Sequence, residues 1–215
     1  MALRLRTMRP TTPGHPSLAP DALLTGYLNG WFPMDELGDD GPVGMYEADP
    51  RGVMPIEGFR TPRSVRRAMR ARPYEIRVDV AFDEVARRCA ERRGDGVWLT
   101  PRLAEAYGEL HRRGYAHSIE AWKDGALVGG LFGVALGGMF SSETMFHRAP
   151  DAGNAALVAT AGILAVAGFS LWDVQATSEH TRRFGAHEIS PAEYRRRLAR
   201  ALRERPGPLR CSWRV

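Results

Sequence analysis

The stretch AHSIEAWKDGALVGGLFGVALGGMFSSETMF occupies residues 116–146, and WDVQ follows at residues 172–175 after a long apolar segment. The first stretch predicts three apolar strands that end in one carboxylate, Glu143, and the second predicts a fourth strand. Asp173 and Gln175 lie two residues apart in this strand, so their side chains point to the same face. Polar groups at a strand end often satisfy a neighbouring loop. A carboxylate beside an amide on an apolar strand also indicates a catalytic site.

Outward from this stretch, the sequence predicts helices and strands in a mixed order. Strands are predicted at residues 74–80, 116–123, 126–136, 138–147 and 170–176. Helices are predicted at residues 21–29, 61–72, 82–93, 101–113, 154–168 and 191–204. Asp21 and Thr61 are the predicted caps of the first two helices. The order describes an antiparallel meander followed by a strand-helix-strand crossover, which indicates an α+β fold with helices on a mixed sheet. It is compatible with the acetyltransferase-like (GNAT-like) architecture.

A boundary is predicted near Gly58. It divides the chain into a small N-terminal α/β domain, residues 1–58, and a larger domain, residues 59–215, that contains the candidate catalytic strands. A chain of 215 residues with an apolar share of 44% suits one ordinary globular domain, or a small one beside a larger one.

The composition also indicates the compartment. Cys89 and Cys211 are too few for a disulfide framework and favour reducing cytoplasm. The arginine-containing N-terminus lacks the apolar core of a secretion signal and predicts a flexible tail. The uncharged run at residues 154–172 is short for a membrane span and predicts a buried helix.

Charge is unevenly distributed along the chain. Residues 1–59 hold four arginines against eight acids, whereas residues 60–215 hold 26 basic and 17 acidic residues. Four arginines of the second part recur at helical spacing: Arg63, Arg66, Arg67 and Arg70. Such a stripe is usually a solvated face, but neighbouring arginines without an interleaved acid favour a polyanion partner. The acidic residues 35–40 predict a solvated loop, with attraction of a basic peptide as the alternative.

Several blocks of the sequence resemble one family of bacterial enzymes. GGLFGVALGGMFSSETMF is similar to the GG-(L/M)-(Y/F)-GV…F-x-G-E-S-M-F signature of the leucyl/phenylalanyl-tRNA–protein transferases. The similarity extends to YLNGWFPM, ADPRGVMP, VWLTPRLAEAYGELHRRG, YAHSIEAW and DVQATSEHTRRFGA, so that it covers residues 20–200 with spacings preserved. Ser142 and Thr144 replace the glycine and serine of the signature, which predicts a changed pocket shape.

The resemblance implies a GNAT-like fold and an aminoacyltransferase that needs no cofactor. It implies transfer of Leu or Phe, with Met as a further candidate, from aminoacyl-tRNA to proteins that begin with Arg or Lys. This transfer to the N-terminal amine tags the acceptor for degradation (an N-degron, under the N-end rule). Aminoacyl-tRNA and the acceptor protein are the implied partners, without a membrane, and a cytoplasmic monomer is expected. The four arginines of the stripe are then tRNA-binding residues.

The resemblance also assigns roles to individual residues. Asp173 and Gln175 are assigned to catalysis, and Glu143 is placed in the active site as the partner of a cationic acceptor. A glutamine amide is a poor base but orients an amine through its carbonyl oxygen, and Asp173 is expected to accept from its NH₂ group. The aminoacyl pocket and an adenine-stacking tryptophan are implied at Trp98, Leu131, Phe140, Met145, Thr160 and Leu164. Without the resemblance, these six are core or anchor residues and Glu143 is a strand cap.

Two other functions fit parts of the sequence. An acyl-CoA-dependent N-acetyltransferase would need a pyrophosphate-binding turn before the core helix, where Pro150 and Asp151 disfavour one. A non-catalytic RNA-binding protein would explain the arginines but gives no role to Glu143, Asp173 and Gln175. The sequence has neither metal-ligand spacing nor a phosphate-binding glycine loop.

Overall fold

The structure is a computed structural model that describes residues 4–8, 18–35, 43–91 and 98–211. In these ranges the strands are β1 (Arg4–Met8), β2 (Phe32–Met34), β3 (Gly44–Asp49), β4 (Arg51–Met54), β5 (Glu75–Val78), β6 (Ala116–Lys123), β7 (Ala126–Leu136), β8 (Met139–His147), β9 (Leu171–Gln175) and β10 (His187–Ile189). The helices are α1 (Pro20–Leu28), α2 (Arg63–Ala71), α3 (Phe82–Ala90), α4 (Pro101–Arg112), α5 (Ala152–Ala167), α6 (Glu179–Arg182) and α7 (Pro191–Ala201).

The strands form two sheets. A small antiparallel sheet has the order β1-β3-β2, and a mixed sheet of seven strands has the order β10-β4-β9-β8-β7-β6-β5. The strands from β5 to β8 pair antiparallel in chain order, and α5 then carries the chain back so that β9 runs parallel to β8. The predicted meander, the crossover and the mixed sheet flanked by helices are confirmed.

Helices cover both faces of the large sheet and divide the apolar core into two clusters. On one face, which we call the α4 face, α1, α3, α4 and α7 contribute buried side chains. On the opposite face, the α5 face, α2 and α5 do so. Because neighbouring strand residues alternate between faces, Phe132 of β7 belongs to the first cluster and Leu131 to the second. Within the described ranges, no helix is long and apolar enough to cross a membrane.

Local sequence signals account for several element boundaries. Asp124 and Gly125 have φ angles of 51° and 76°, as a tight two-residue turn between β6 and β7 requires. Thr100 caps α4 by accepting from the backbone N–H of Leu103, and Gly114 ends it with a φ of 78°. The third helix buries the four side chains that its periodicity predicts: Phe82, Val85, Ala86 and Cys89.

The two predicted helix caps, Asp21 and Thr61, are wrong. α1 begins after Ala19 and α2 begins after Pro62, and neither cap residue makes a side-chain bond to its helix. Pro62 has an extended backbone with a ψ of 144°, so the first helical residue comes after the proline and not at it. Asp21 instead lies in the first turn of α1, where its charge favours the helix dipole.

The N-terminal part of the chain departs from the prediction in two places. Residues 4–8, within the predicted flexible tail, form β1 and pair with β3. Asp35, within the predicted solvated loop, is 1% exposed and accepts from the side chains of Thr100 and Arg102. Its burial follows from these partners on α4 and its cap. Residues 36–40 of that loop lie outside the described ranges.

The position of β4 bears on the predicted domain boundary. This strand precedes residue 58, yet it lies in the large sheet between β10 and β9. Its register with β9 places Gly52 opposite Gln175 and Val53 opposite Asp173. The division into domains at residue 58 stays a prediction. An N-terminal domain with this boundary would contribute β4 to the large sheet of the second domain.

Candidate active site

The large sheet opens between β8 and β9. Their parallel pairing covers three residue pairs and ends at Ser141 and Asp173. Just beyond, a register shift against β7 gives β8 one extra residue, Glu143. Such a bulge bends a strand and turns its side chains. Glu143 of β8 and Gln175 of β9 therefore lie at the point where the two strands separate.

Asp173 is fully buried, and both of its carboxylate oxygens are bonded. Arg51 of β4 donates from Nε to Oδ1 at 2.9 Å and from Nη2 to Oδ2 at 2.5 Å. The Tyr194 hydroxyl donates to Oδ2 at 2.7 Å, and the backbone N–H of Gln175 donates to Oδ1 at 2.9 Å. This carboxylate accepts four hydrogen bonds and thereby joins β9 to β4 and α7.

Arg51 is held from several further sides. It is 1% exposed and donates from Nη1 to the carbonyl oxygen of Gly30 at 2.9 Å. Its guanidinium carbon lies 4.3 Å from the ring centroid of Tyr194 and 4.9 Å from that of Phe32. Burial lowers the pKa of Arg51, but the Asp173 carboxylate more than offsets this and leaves the pKa above its usual value. The Arg51 guanidinium therefore keeps its positive charge at every working pH.

Gln175 ends β9 in an unusual backbone conformation. Its φ of 55° is left-handed, which is uncommon for a residue with a side chain, and its N–H bond to Asp173 holds it there. The side-chain Nε2 donates to the hydroxyl of Ser141 at 2.8 Å. The prediction that Asp173 accepts from this NH₂ group is wrong, because Arg51, Tyr194 and the backbone of Gln175 occupy that carboxylate.

Glu143 is the second carboxylate at the opening. Its Oε1 accepts from the hydroxyl of Ser141 and its Oε2 from that of Tyr107, both at 3.0 Å, and the Tyr107 hydroxyl lies 2.7 Å from that of Tyr27. Although the residue keeps some exposure, its carboxylate is enclosed by these groups. The pKa of Glu143 is raised to about 7, because the increase caused by burial, with a smaller one from the charge of Asp173, exceeds the decrease caused by the hydrogen bonds. Both protonation states are therefore populated near neutral pH.

The three polar residues predicted at the site are thus close together on the α4 face. Ser141 joins Gln175 to Glu143, and Ser141 is also the register partner of Asp173. The catalytic roles of Asp173, Gln175 and Glu143 stay predictions.

Two adjacent serines tie β8 to β9 on opposite faces of the sheet. Ser141 is fully buried and accepts from Gln175 on the α4 face. Ser142 accepts from the indole Nε1 of Trp172 at 2.7 Å, and Trp172 belongs to the α5-face cluster. The opening between the strands therefore has a serine bridge on each side.

The six positions implied for the aminoacyl pocket and the adenine do not form one cluster. Four are at most 1% exposed in the α5-face core: Leu131, Phe140, Thr160 and Leu164. Met145 packs against the same core, whereas Trp98 packs against the α4-face core. The thickness of the sheet therefore separates the apolar group on the α5 face from Glu143 and Gln175 on the α4 face.

The predicted arginine stripe lies on the exposed side of α2, with Val65 and Met69 turned inward. Two of its members, Arg66 and Arg70, line a cavity of about 910 Å³ together with Arg60 and Arg183. The other cavity-lining residues are Phe59, Thr61, Pro62, Met69, Pro73 and Val158. Phe59 stacks on Trp172 at 5.8 Å between ring centroids, which places the cavity on the α5 face. A basic wall over an apolar floor suits phosphates with attached bases.

Five residues of the site were not singled out in the sequence: Tyr27, Arg51, Tyr107, Ser141 and Tyr194. Arg51 carried a signal, because it is one of four arginines in residues 1–59 and belongs to the block ADPRGVMP. The three tyrosines carried none, since an isolated tyrosine in an apolar helix is an ordinary core residue. In the part of the chain that the structure describes, no three His, Cys, Asp or Glu side chains are placed to hold a metal ion.

Comparison with known proteins gives one consistent result. The model of the leucyl/phenylalanyl-tRNA protein transferase family matches residues 53–199. A leucyl/phenylalanyl-tRNA–protein transferase from Herpetosiphon aurantiacus is 45% identical over 186 residues, which are 86% of this chain and 95% of the relative. One from Akkermansia muciniphila is 42% identical over 189 residues (87% and 97%), and one from an Anaeromyxobacter species is 45% identical over 201 residues (92% and 84%).

Proposed function

We propose that this chain, which belongs to the leucyl/phenylalanyl-tRNA–protein transferase family, moves a leucyl or phenylalanyl group from tRNA to the N-terminal amine of a protein. The resemblance found in the sequence is confirmed by this membership, and the chain is an aminoacyltransferase. The proposal further includes acceptors that begin with Arg or Lys, their tagging for degradation, a GNAT-like fold, and action as a cytoplasmic monomer.

The proposed reaction converts an ester into an amide. The amine nitrogen attacks the ester carbonyl carbon and forms a C–N bond, the bond to the terminal ribose oxygen breaks, and the amine loses a proton while that oxygen gains one. An N-terminal amine has a pKa near 7.7–8.0, so making it neutral at pH 7 costs about 1 kcal/mol. Orientation of the amine and the ester can supply about 7–11 kcal/mol. A site for this reaction gains more from positioning than from a strong base.

The observation that carries the proposal is the attachment of Gln175 at the opening of the sheet. Its backbone is fixed by Asp173 and its amide nitrogen by Ser141. These bonds leave the side-chain carbonyl oxygen as the group that can accept an N–H from the attacking amine. In this proposal Asp173 acts through Gln175 as a positioning residue, with Arg51 and Tyr194 holding it in turn.

Glu143 supplies negative charge beside Gln175. Its carboxylate can accept from an ammonium or guanidinium group, which supports an acceptor with a basic N-terminal residue. With a pKa raised to about 7, chiefly by burial, it is also matched to an amine proton at neutral pH.

The arginines of α2 and the cavity beside them supply the proposed tRNA contact. Arg60 and Arg183 extend the stripe, and the guanidinium groups of Arg66 and Arg70 share the cavity with them. The cavity lies on the face that also holds the apolar α5 core. The residues implied for the aminoacyl pocket belong to this core or pack against it, with the exception of Trp98, so the proposal places the acyl chain on the α5 face.

The start of α5 argues against acyl-CoA as the donor. Asp151 occupies the N-cap with a φ of 62°, and Asn154 donates to its carboxylate at 2.7 Å. A fixed negative charge at a helix N-terminus repels a pyrophosphate that would otherwise bind there. This feature favours aminoacyl-tRNA as the acyl donor.

One assay tests the proposed function. Labelled Leu or Phe is charged on tRNA and offered with peptides that begin with Arg, Lys, Asp or Glu, and the label in peptide is counted. Transfer to the Arg and Lys peptides is expected, whereas transfer to the acidic peptides alone would overturn the proposed acceptor. Absence of transfer to all four, with folded protein and intact charged tRNA, would overturn the proposed reaction.

A further inference from the structure

Ser141 connects two residues of the proposed site and has no role assigned so far. We propose that Ser141 is a positioning residue that fixes the orientation of the Gln175 carboxamide, so that its Oε1 faces the attacking amine. Ser141 does this by donating its single hydroxyl proton to Glu143 while accepting from Nε2 of Gln175. The inference rests on the proposed function for its substrate, but the orientation itself is a property of the free protein.

The direction of each hydrogen bond follows from counting donors. An ionised Glu143 has no proton to donate, so both Ser141 and Tyr107 must donate to it. A serine hydroxyl has one proton, and Ser141 has used it. Its remaining capacity is to accept, so Gln175 must present its NH₂ side to it at 2.8 Å. The reverse orientation would set the amide oxygen against the hydroxyl oxygen with no proton between them.

Because of the position of Ser141 in the sheet, a water molecule could not easily take over the hydrogen bonds of its hydroxyl. It lies opposite Asp173 in the last residue pair of β8 and β9, and it is fully buried. Gln175 follows two residues later with its backbone already fixed by Asp173. One hydrogen bond on the backbone of Gln175 and one on its side chain leave the amide one favourable orientation.

The same hydroxyl connects the ionisation of Glu143 to Gln175. A protonated Glu143 can donate to Ser141, which then donates to Oε1 of Gln175 and favours the reversed amide. The groups that face Glu143 are Tyr27 of α1, Tyr107 of α4, Ser141 on its own strand, Asp173 of β9 and, through its charge, Arg51 of β4. The pKa of Glu143, raised to about 7 mainly by burial, brings this exchange into the neutral range.

Ser142 provides a matched control. It is the same residue type one position along β8 and also links this strand to β9, but it does so through Trp172 on the other face. Loss of either hydroxyl removes one bridge across the opening. Only loss of the Ser141 hydroxyl, and not loss of the Ser142 hydroxyl, removes the link between Glu143 and Gln175.

The test compares Ser141→Ala, Ser141→Cys and Ser142→Ala in the transfer assay across pH 5.5 to 8.5. In the wild type, kcat is expected to rise as pH increases through about 7. Ser141→Ala is expected to lower kcat by about tenfold or more with little change in the KM for aminoacyl-tRNA, because orientation and not binding is lost. Its kcat should also lose the part of the pH dependence that Glu143 transmits through Ser141 near pH 7, whereas the rise caused by the acceptor amine, with a pKa near 7.7–8.0, should remain. Ser141→Cys, with a weak thiol donor, should fall between, and Ser142→Ala should keep the wild-type pH profile.

A second readout does not depend on activity. In the wild type, the side-chain amide ¹⁵N and ¹H resonances of Gln175 are expected to shift with pH near the Glu143 pKa of about 7. In Ser141→Ala this titration should disappear. If Gln175 still titrates in Ser141→Ala, or if that variant keeps the wild-type kcat and pH profile, the inference is overturned while the proposed function stands. Titration lost in Ser141→Ala by a protein without transfer activity would support the inference and reject the proposed function.

Discussion

The substitution Asp173→Ala is expected to destabilise the folded protein, so that its effect on activity cannot be assigned to catalysis. The side chain is completely buried and receives four hydrogen bonds, two of them from Arg51. Its removal leaves the Arg51 guanidinium, itself 1% exposed, with the Gly30 carbonyl oxygen, the Tyr194 hydroxyl and two aromatic rings.

The size of the stability loss follows from the buried Arg51 guanidinium, which no longer has a carboxylate partner. Removing one partner of a buried, hydrogen-bonded ion pair costs about 3–5 kcal/mol. Domains of this kind have unfolding free energies of about 5–15 kcal/mol, so the variant would lose a large part of its stability. The backbone of Gln175 also loses the acceptor that holds its left-handed φ of 55°. A loss of activity in Asp173→Ala would therefore not identify Asp173 as a base.

Urea unfolding followed by tryptophan fluorescence measures this effect, with Arg51→Met and the double variant completing a cycle. The double variant should be more stable than the sum of the two single losses predicts, by about 1–3 kcal/mol, because each single change leaves a buried charge alone. Glu109→Ala is a control, since Glu109 pairs with Arg112 and Arg113 at the surface and should have a far smaller effect. An Asp173→Ala protein within about 1 kcal/mol of the wild type would refute the reasoning, because the cost of a buried unpaired charge would then be missing.

Three further predictions concern the opening of the sheet and the arginine stripe. Gln175→Ala should lower kcat/KM for transfer by about a hundredfold with an unchanged unfolding midpoint; wild-type kcat/KM at saturating aminoacyl donor would exclude Gln175 from catalysis. Changing Arg66 and Arg70 to Glu should weaken tRNA binding and reduce the slope of log affinity against log salt by roughly 2, measured by filter binding; an unchanged slope would place the tRNA elsewhere. Because folding raises the pKa of Glu143 from 4.5 to about 7, the folded state holds its proton more tightly, and this contribution to stability is lost as pH rises between these values. Glu143→Gln should therefore gain about 1–3 kcal/mol relative to the wild type between pH 5 and pH 8 in urea unfolding, and an equal difference at both pH values would contradict the shift.

Much of the fold was predictable because local patterns determine it. The alternation of β5 to β8, the turn at Asp124 and Gly125, and the apolar length of α5 each depend on neighbouring residues in the chain. The nearness of Asp173 and Gln175 follows from the period of a strand. These features could be predicted from the sequence. The N-caps of α1 and α2 could not, because they depend on backbone angles that the residue type alone does not determine.

The rest of the site depends on contacts between distant parts of the chain. Arg51 reaches Asp173 across 122 positions because β4 inserts beside β9, an arrangement that no local pattern of residues 51–54 indicates. Ser141 and Ser142 are adjacent residues of the same type. One contacts Gln175 and the other Trp172 because successive side chains of a strand point to opposite faces of the sheet. The sequence could identify the residues with reactive groups, but the partners that restrain those groups come from the topology. Direct action on substrate is therefore best tested at Gln175, and the orientation of its amide at Ser141. Asp173 is a poor choice for either test, because its substitution removes an anchor of the fold.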